Sequence, residues 1–186
     1  MFGQKTLPDQ FSTFLFAITF FITAFIPQES KAQSLVQGNL SLIGWNADSD
    51  TLLVVALDTI PSGETVFFTD KQWNGSAFIS SEGTKSWLTP QVNPGTVIAL
   101  SASGASVGGT VSQISGSFNI ASSGDGVFLY QTDNNSSTGD PTFLSFMGRD
   151  SSYAGTFANT GLSNGIYAAL TGANNAVYNG TRTGFT

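Results

Sequence analysis

Cysteine and histidine are both missing from the 186 residues. Without cysteine there is no disulfide framework, no thiolate metal site and no lipid anchor on a cysteine behind a leader. Without histidine, imidazole-based triads are excluded, and so is the commonest metal ligand. Charge is scarce as well: 10% of residues are Asp, Glu, Lys or Arg, against ~25% in an ordinary soluble domain. Positive charge is the scarcer sign. Lys and Arg total six against twelve Asp and Glu, for a net charge of −6. Two of the six, Lys5 and Lys31, lie near the N-terminus, and the rest are scattered. A nucleic-acid surface needs a basic stripe to displace phosphate counterions, and this chain cannot make one. The same shortage argues against binding to an anionic membrane surface. After the first thirty or so residues, no run is long and apolar enough to span a bilayer.

What is abundant points the other way. Glycine occurs 21 times, phenylalanine 16 times, and 40% of the chain is hydrophobic. Serine, threonine and asparagine fill the space left by charge. Low charge, many aromatics and many small polar residues describe an extracellular β-protein with tight turns rather than a disordered tail. An exported chain without cysteine also suggests a bacterial source.

Residues 1–32 read as a cleavable secretory signal peptide. Lys5 supplies a weak positive start. Residues 11–26 are apolar, interrupted only by small hydroxyl residues. That length fits a signal core better than the ~20 apolar residues of a membrane span. Pro27 ends the run. Ser30 and Ala32 place small residues where signal peptidase requires them, so cleavage is expected before Gln33. An uncleaved N-terminal anchor is the alternative. The mature part, residues 33–186, has the length of one domain.

Within that part, short apolar runs alternate with turn residues. Strands are expected at 40–45, 51–57, 65–69, 96–100, 126–131, 143–147 and 166–170. The 51–57 run is almost continuously apolar, which predicts a central strand covered on both faces. Two strands share one entry device, Pro61-Ser62-Gly63 before Thr65-Val66 and Pro94-Gly95 before Thr96-Val97. Proline sets φ there, and glycine supplies the positive φ of a type II turn. Asn74-Gly75, Asn164-Gly165 and Asn179-Gly180 are further turn dipeptides. Segments 101–117 and 132–141 read as loops. No stretch of ten residues holds a 3.6-residue period. Strands at this spacing predict an all-β, antiparallel sandwich. A parallel β-helix would show a fixed short repeat, and none is present.

Four groups of residues invite a chemical reading. Asp48 and Asp50, behind Asn46, place oxygen ligands two apart on a turn. That makes them a candidate calcium site, although the glycine and the distant glutamate of an EF-hand loop are missing and a solvated turn is the plainer reading. Asp133 and Asp140 in the 132–141 loop stand in the same position. Asp70 and Glu82 flank an aromatic segment containing Phe67, Phe68, Trp73, Phe78 and Trp87. Two carboxylates beside aromatics suggest a glycosidase pair or, more plausibly, a sugar-binding platform built on Trp73 and Trp87, while aromatics in a sandwich usually belong to the core. Ser123-Gly124-Asp125-Gly126 reads as a turn without an activated nucleophile.

A resemblance adds to this reading. Residues 38–48, with Gly44-Trp45-Asn46-Ala47-Asp48, then residues 54–70 ending in Phe67-Phe68-Thr69-Asp70, and Trp73 just beyond, resemble a domain of exported bacterial surface proteins. Pro94-Gly95-Thr96-Val97 followed by Ser123-Gly124-Asp125-Gly126-Val127 is similar to lamin-tail-like domains. That resemblance implies an Ig-like β-sandwich in an extracellular setting. It carries no catalytic residue, because such domains usually accompany an enzyme elsewhere in the chain. The chain stops at Thr186 after a turn-like stretch, which is also how a fragment would end.

Together these observations predict a secreted or cell-surface module, with the periplasm as the alternative compartment. It would be non-catalytic and need no cofactor beyond the candidate calcium. It would bind an extracellular glycan or surface protein through loops or an aromatic face. The competing reading is a secreted carboxylate-dependent hydrolase, or its accessory domain.

Overall fold

A computed structural model describes residues 34–149 and 151–162, together with the backbone of 167–169 and 175–177. Residues 1–33, where the signal peptide and its cleavage point are expected, Asn164-Gly165 and Asn179-Gly180 lie outside the described residues. Every described residue belongs to one compact unit, Ala32–Thr186.

The described chain is all-β. Its strands are β1 (Leu40–Asn46), β2 (Thr51–Ala56), β3 (Thr65–Thr69), β4 (Gln72–Trp73), β5 (Phe78–Ile79), β6 (Thr84–Leu88), β7 (Val97–Ser101), β8 (Gly104–Ala105), β9 (Thr110–Ser115), β10 (Gly126–Thr132), β11 (Pro141–Gly148), β12 (Tyr167–Ala169) and β13 (Asn175–Val177). The only helical turn among the described residues is a 3₁₀ turn at Ser151–Ala154. One sheet runs β13-β1-β2-β7-β8 and the other β12-β11-β10-β3-β6-β9, with β4 and β5 forming a separate hairpin. Pairing is antiparallel except at one edge, where β11 and β12 run parallel. That pair departs from the purely antiparallel expectation, and the long connection between the two strands makes it possible.

Both proline-glycine entries behave as their chemistry requires. Gly63 has φ +82° and Gly95 φ +81°. At the second, Thr96 N–H donates to Asn93 O at 3.3 Å, closing the four-residue turn.

The two sheets close over a shared, mainly aliphatic core. Leu40, Leu42, Leu52, Val54, Ile98 and Leu100 come from the first sheet, and Val66, Phe68, Trp87, Val127, Leu129 and Leu144 from the second. The second sheet also buries its other face. Phe67, Phe128, Tyr130, Phe143 and Phe146 project from it and are covered by Trp73 and Phe78 of the β4–β5 hairpin and by Ala154, Phe157 and Leu162. This outer layer explains the unbroken burial of β10 and the near-continuous burial of β3.

Two expectations need correction. β2 is central, between β1 and β7, but it is not covered on both faces. Leu52, Val54 and Ala56 point inward, and Leu53 and Val55 are only half-buried. Its apolar run reflects an aliphatic outer face and not a second layer. Segment 101–117 is not mostly loop, because it contains β8 and β9. Serine, threonine and glycine hid a strand that sits at a sheet edge, where no core-facing alternation is demanded.

Candidate functional site

The acidic residues converge where segment 116–121 crosses one end of the inter-sheet core. Phe118 and Ile120 of this segment are buried in that core. Phe118 packs edge-on against Phe68, with centroids 5.2 Å apart at 89°. The segment is not in a strand, so no ladder satisfies its backbone donors. Three carboxylates do so, one for each successive amide. Asp70 accepts Asn119 N–H at 2.9 Å, Asp50 accepts Ile120 N–H at 2.7 Å, and Asp125 accepts Ala121 N–H at 2.9 Å. Each carboxylate comes from a different place: the β1–β2 turn, the end of β3 and the entry to β10.

Local structure aims each of them. Asp50 sits at φ +47°, in the left-handed region, at the end of a turn in which Asn46 Oδ1 accepts Asp48 N–H at 2.9 Å. Asp70 is buried, and its second oxygen accepts Gly83 N–H at 2.7 Å. The other oxygen of Asp125 accepts Gly126 N–H at 2.7 Å. Glycine lets the segment approach closely: a Cβ on Gly83 would collide with the backbone of Ser117 and Phe118, and one on Gly116 with the Glu82 carbonyl.

Electrostatics follow from this crowding. Burial pushes the Asp125 carboxyl up to about 6, against the pull of its two amide donors, and the charges of Asp70 and Glu82 push it the same way. Burial also raises Asp70, opposed by the amides of Asn119 and Gly83 and assisted by Glu82. These are carboxylates in mutual electrostatic reach, each engaged by backbone amides.

The sequence-predicted residues fall out as follows. Asp48 is exposed, while Asp50 faces Ile120 and also lies 3.5 Å from Asn119 Nδ2, so the two do not converge on one point. Among the described residues, no group of three or more Asp or Glu is placed to hold a metal ion. Asp133 spends one oxygen on Asp140 N–H at 3.0 Å, closing the β10–β11 loop. Asp70 and Glu82 do come within electrostatic reach, but Glu82 is exposed and accepts the Ser80 hydroxyl at 2.8 Å.

The aromatic platform is corrected. Trp87 is 0% exposed and Trp73 5%. Trp87 lies in the inter-sheet core with Nε1–H donating to Gly108 O at 3.1 Å, and Trp73 lies under the outer layer with Nε1–H donating to Ala158 O at 2.9 Å. Neither indole presents a face to solvent, because both indoles are wanted by cores. Asp125 joins the site although its local sequence reads only as a turn. The signal available was Phe118-Asn119-Ile120, an apolar alternation isolated in a Ser/Gly-rich stretch, which marks a segment that must dock.

The fold and this site define a β-sandwich whose end is closed by a carboxylate-anchored strap. Compared with known proteins, the chain matches no family model, no curated protein and no solved structure.

Proposed function

We propose that the chain is an exported, non-catalytic surface or matrix module of lamin-tail-like, Ig-like type, binding an extracellular glycan or surface protein. The observation that supports this most directly is the use made of its carboxylates. A glycosidase pair needs two carboxyl groups facing a substrate across a cleft, ~5–9.5 Å apart. Here Asp70 and Asp125 each give both oxygens to backbone amides and are almost fully buried. Their raised proton affinity belongs to the packing of the strap and not to an open acid–base pair. Two sheets over one core, in a chain with an export-type leader, accord with the resemblance to extracellular sandwich domains.

With Trp73 and Trp87 interior, binding falls to the loops. The 133–140 loop and the 74–77 turn carry exposed Asn, Ser and Thr side chains suited to neutral polar ligands. A glycan and surface-protein array probed with the exported protein, run beside turnover assays on glycoside, phosphodiester and ester substrates, tests the reading. Saturable binding without turnover is expected. Turnover abolished by Asp70→Asn or Glu82→Gln, with the fold intact, would establish the hydrolase instead.

A further inference from the structure

We propose that the β9 edge of the second sheet pairs with the same edge of a second copy of the chain, antiparallel about a twofold axis at Ser112, so that the two copies' sheets join into one.

An edge strand offers a row of backbone N–H and C=O groups to any strand that can lie beside it. Folded proteins guard such edges with short strands, lysine, proline or a covering element. Three of the four edges of the two large sheets are guarded by their shortness: β8 has two residues, and β12 and β13 have three each. β9 has six, Thr110–Ser115, with no proline and no charged side chain. Its strand neighbour is β6, and among the described residues no other segment hydrogen-bonds its backbone. Thr110, Ser112, Gln113 and Ile114 are exposed along it.

The C-terminal end of β9 is closed. Thr84 pairs with Ser115 and Lys85 with Gln113, which leaves Ile114 as the extra residue of a bulge. The Gln113 carboxamide donates to Thr84 O, Ser115 O and Gly116 O at 3.1, 2.8 and 3.2 Å. Lys71 Nζ donates to Ser115 Oγ at 3.2 Å. The stretch left open is Thr110 to Ile114, and its midpoint is Ser112.

Two observations select a second copy as the occupant. The first is charge. At a net charge of −6, two copies repel one another over most of their surface. From Ser86 to Gly124, however, the chain carries no Asp, Glu, Lys or Arg. That run supplies β7, β8 and β9, and β8 and β9 adjoin at this side of the sandwich. Copies meeting here face the least repulsion, and a charged partner finds nothing to recognise. The second observation is that the strand matches itself. With Ser112 opposite Ser112, Val111 lies opposite Gln113 and Thr110 opposite Ile114. Side chains directly opposite one another share a face of the sheet. Matched positions are an even number of residues apart, so both copies keep their core-facing sides on the same side of the joined sheet. Leu88 and Ile114, both large, apolar and exposed, then border the seam. Leu88 lies opposite Thr110 on β6, and Ile114 of the second copy meets Thr110 from the other side.

The chain has no cysteine, so a single introduced thiol reports cleanly. In the pair, the Cα atoms of the two Ser112 residues would lie about 4.5–5.5 Å apart, within reach of a disulfide. Under mild oxidation Ser112→Cys should form a covalent dimer at least about tenfold faster than Ser136→Cys, because pairing makes the reaction effectively intramolecular. Ser136 is an exposed control in the 133–140 loop. Sedimentation velocity of the native full chain should show monomer giving way to dimer as concentration rises, and added salt should favour the dimer by screening the net charge. Ser112→Lys sets two ammonium groups against each other. It should stay monomeric where the native chain is dimeric, with an unchanged circular dichroism spectrum. A native chain that is monomeric throughout, equal cross-linking at the two thiols, or a dimer that survives Ser112→Lys overturns the proposal. So does a monomeric chain that binds only an extended peptide of another protein at β9. Should Ser112→Lys not fold, amide exchange of the native chain decides: slower exchange in β9 on dimerisation supports the pairing, and unchanged exchange there overturns it.

Discussion

The two faces of the second sheet make different cores from the same strands. Facing the first sheet, Val66, Phe68, Val127 and Leu129 join a core in which aliphatic side chains predominate. On the other face, Phe67, Phe128, Tyr130 and Phe143 meet Trp73 and Phe78 in an almost wholly aromatic cluster. The rings interlock there. Phe67 stacks on Tyr130 at 5.3 Å and 24°, and Trp73 meets Phe143 edge-on at 5.0 Å and 72°. The inner core is closed by two full sheets. The outer one is closed by a hairpin of two-residue strands and a 3₁₀ turn. Such short pieces cannot hold themselves together, so the cover is stable only through the rings it buries. One core organises its elements, whereas the other is what organises its cover.

The largest effect should come from removing a ring from either core. Trp87→Ala and Phe128→Ala should each lower unfolding free energy by about 3–5 kcal/mol. Denaturant titration should give a single transition for Trp87→Ala, since the inner core ties both sheets. For Trp73→Ala, hydrogen exchange should show early loss at β4 and β5 with the sheets retained. Equal loss of protection everywhere would erase the distinction between the cores.

Gly83→Ala comes next. A methyl group there meets the backbone of Ser117 and Phe118, so the strap must shift, at a cost of about 1–3 kcal/mol. Protection at residues 118–121 should fall first, and an undisturbed strap would contradict the close packing.

The pH effect is of similar size or smaller. Asp125 has a folded value of about 6 against 3.8 unfolded. Its contribution is therefore fully present below about pH 3.8 and is lost as pH rises through about 6. Stability measured by urea titration should fall by about 1–3 kcal/mol over that window from this group. In Asp125→Asn the fall should shrink. A larger fall in the variant than in the native chain would reverse the assignment.

The smallest effect belongs to the exposed turn. Asp48→Asn should shift stability by under about 0.5 kcal/mol, and chelator should leave the melting temperature unmoved. A chelator-induced drop abolished by Asp50→Asn would restore the calcium reading, because an ion bound only to the native state stabilises it by mass action.

Legibility in the sequence followed the regularity of each element. β1, β3, β7, β10 and β11 were readable because a core-facing strand repeats every two residues and its turns require glycine and proline at set places. β4, β5 and β6 carry no strand signal in the sequence. The first two are too short to show a period, and Thr84-Lys85-Ser86 puts polar residues on a strand that burial later covers. Lys85 is 8% exposed, a position where composition argues for the surface. β9 was lost in a Ser/Gly-rich stretch because an edge strand need not alternate.

Trp73 and Trp87 show the limit most clearly. Composition says that a tryptophan will bury its ring somewhere, against a core or against a ligand, and only packing says which. The sequence by itself determined the all-β class, the aliphatic alternation, the proline-glycine turns and the absence of imidazole and thiol chemistry, since these depend on residue type and near-neighbour spacing. Tertiary structure alone decided that the tryptophans are interior, that a second aromatic core covers one sheet, and that Asp50, Asp70 and Asp125 meet on three adjacent amides. Those three aspartates are up to 75 positions apart in the chain. Their meeting depends on how two sheets close over one another, and no local spacing encodes it.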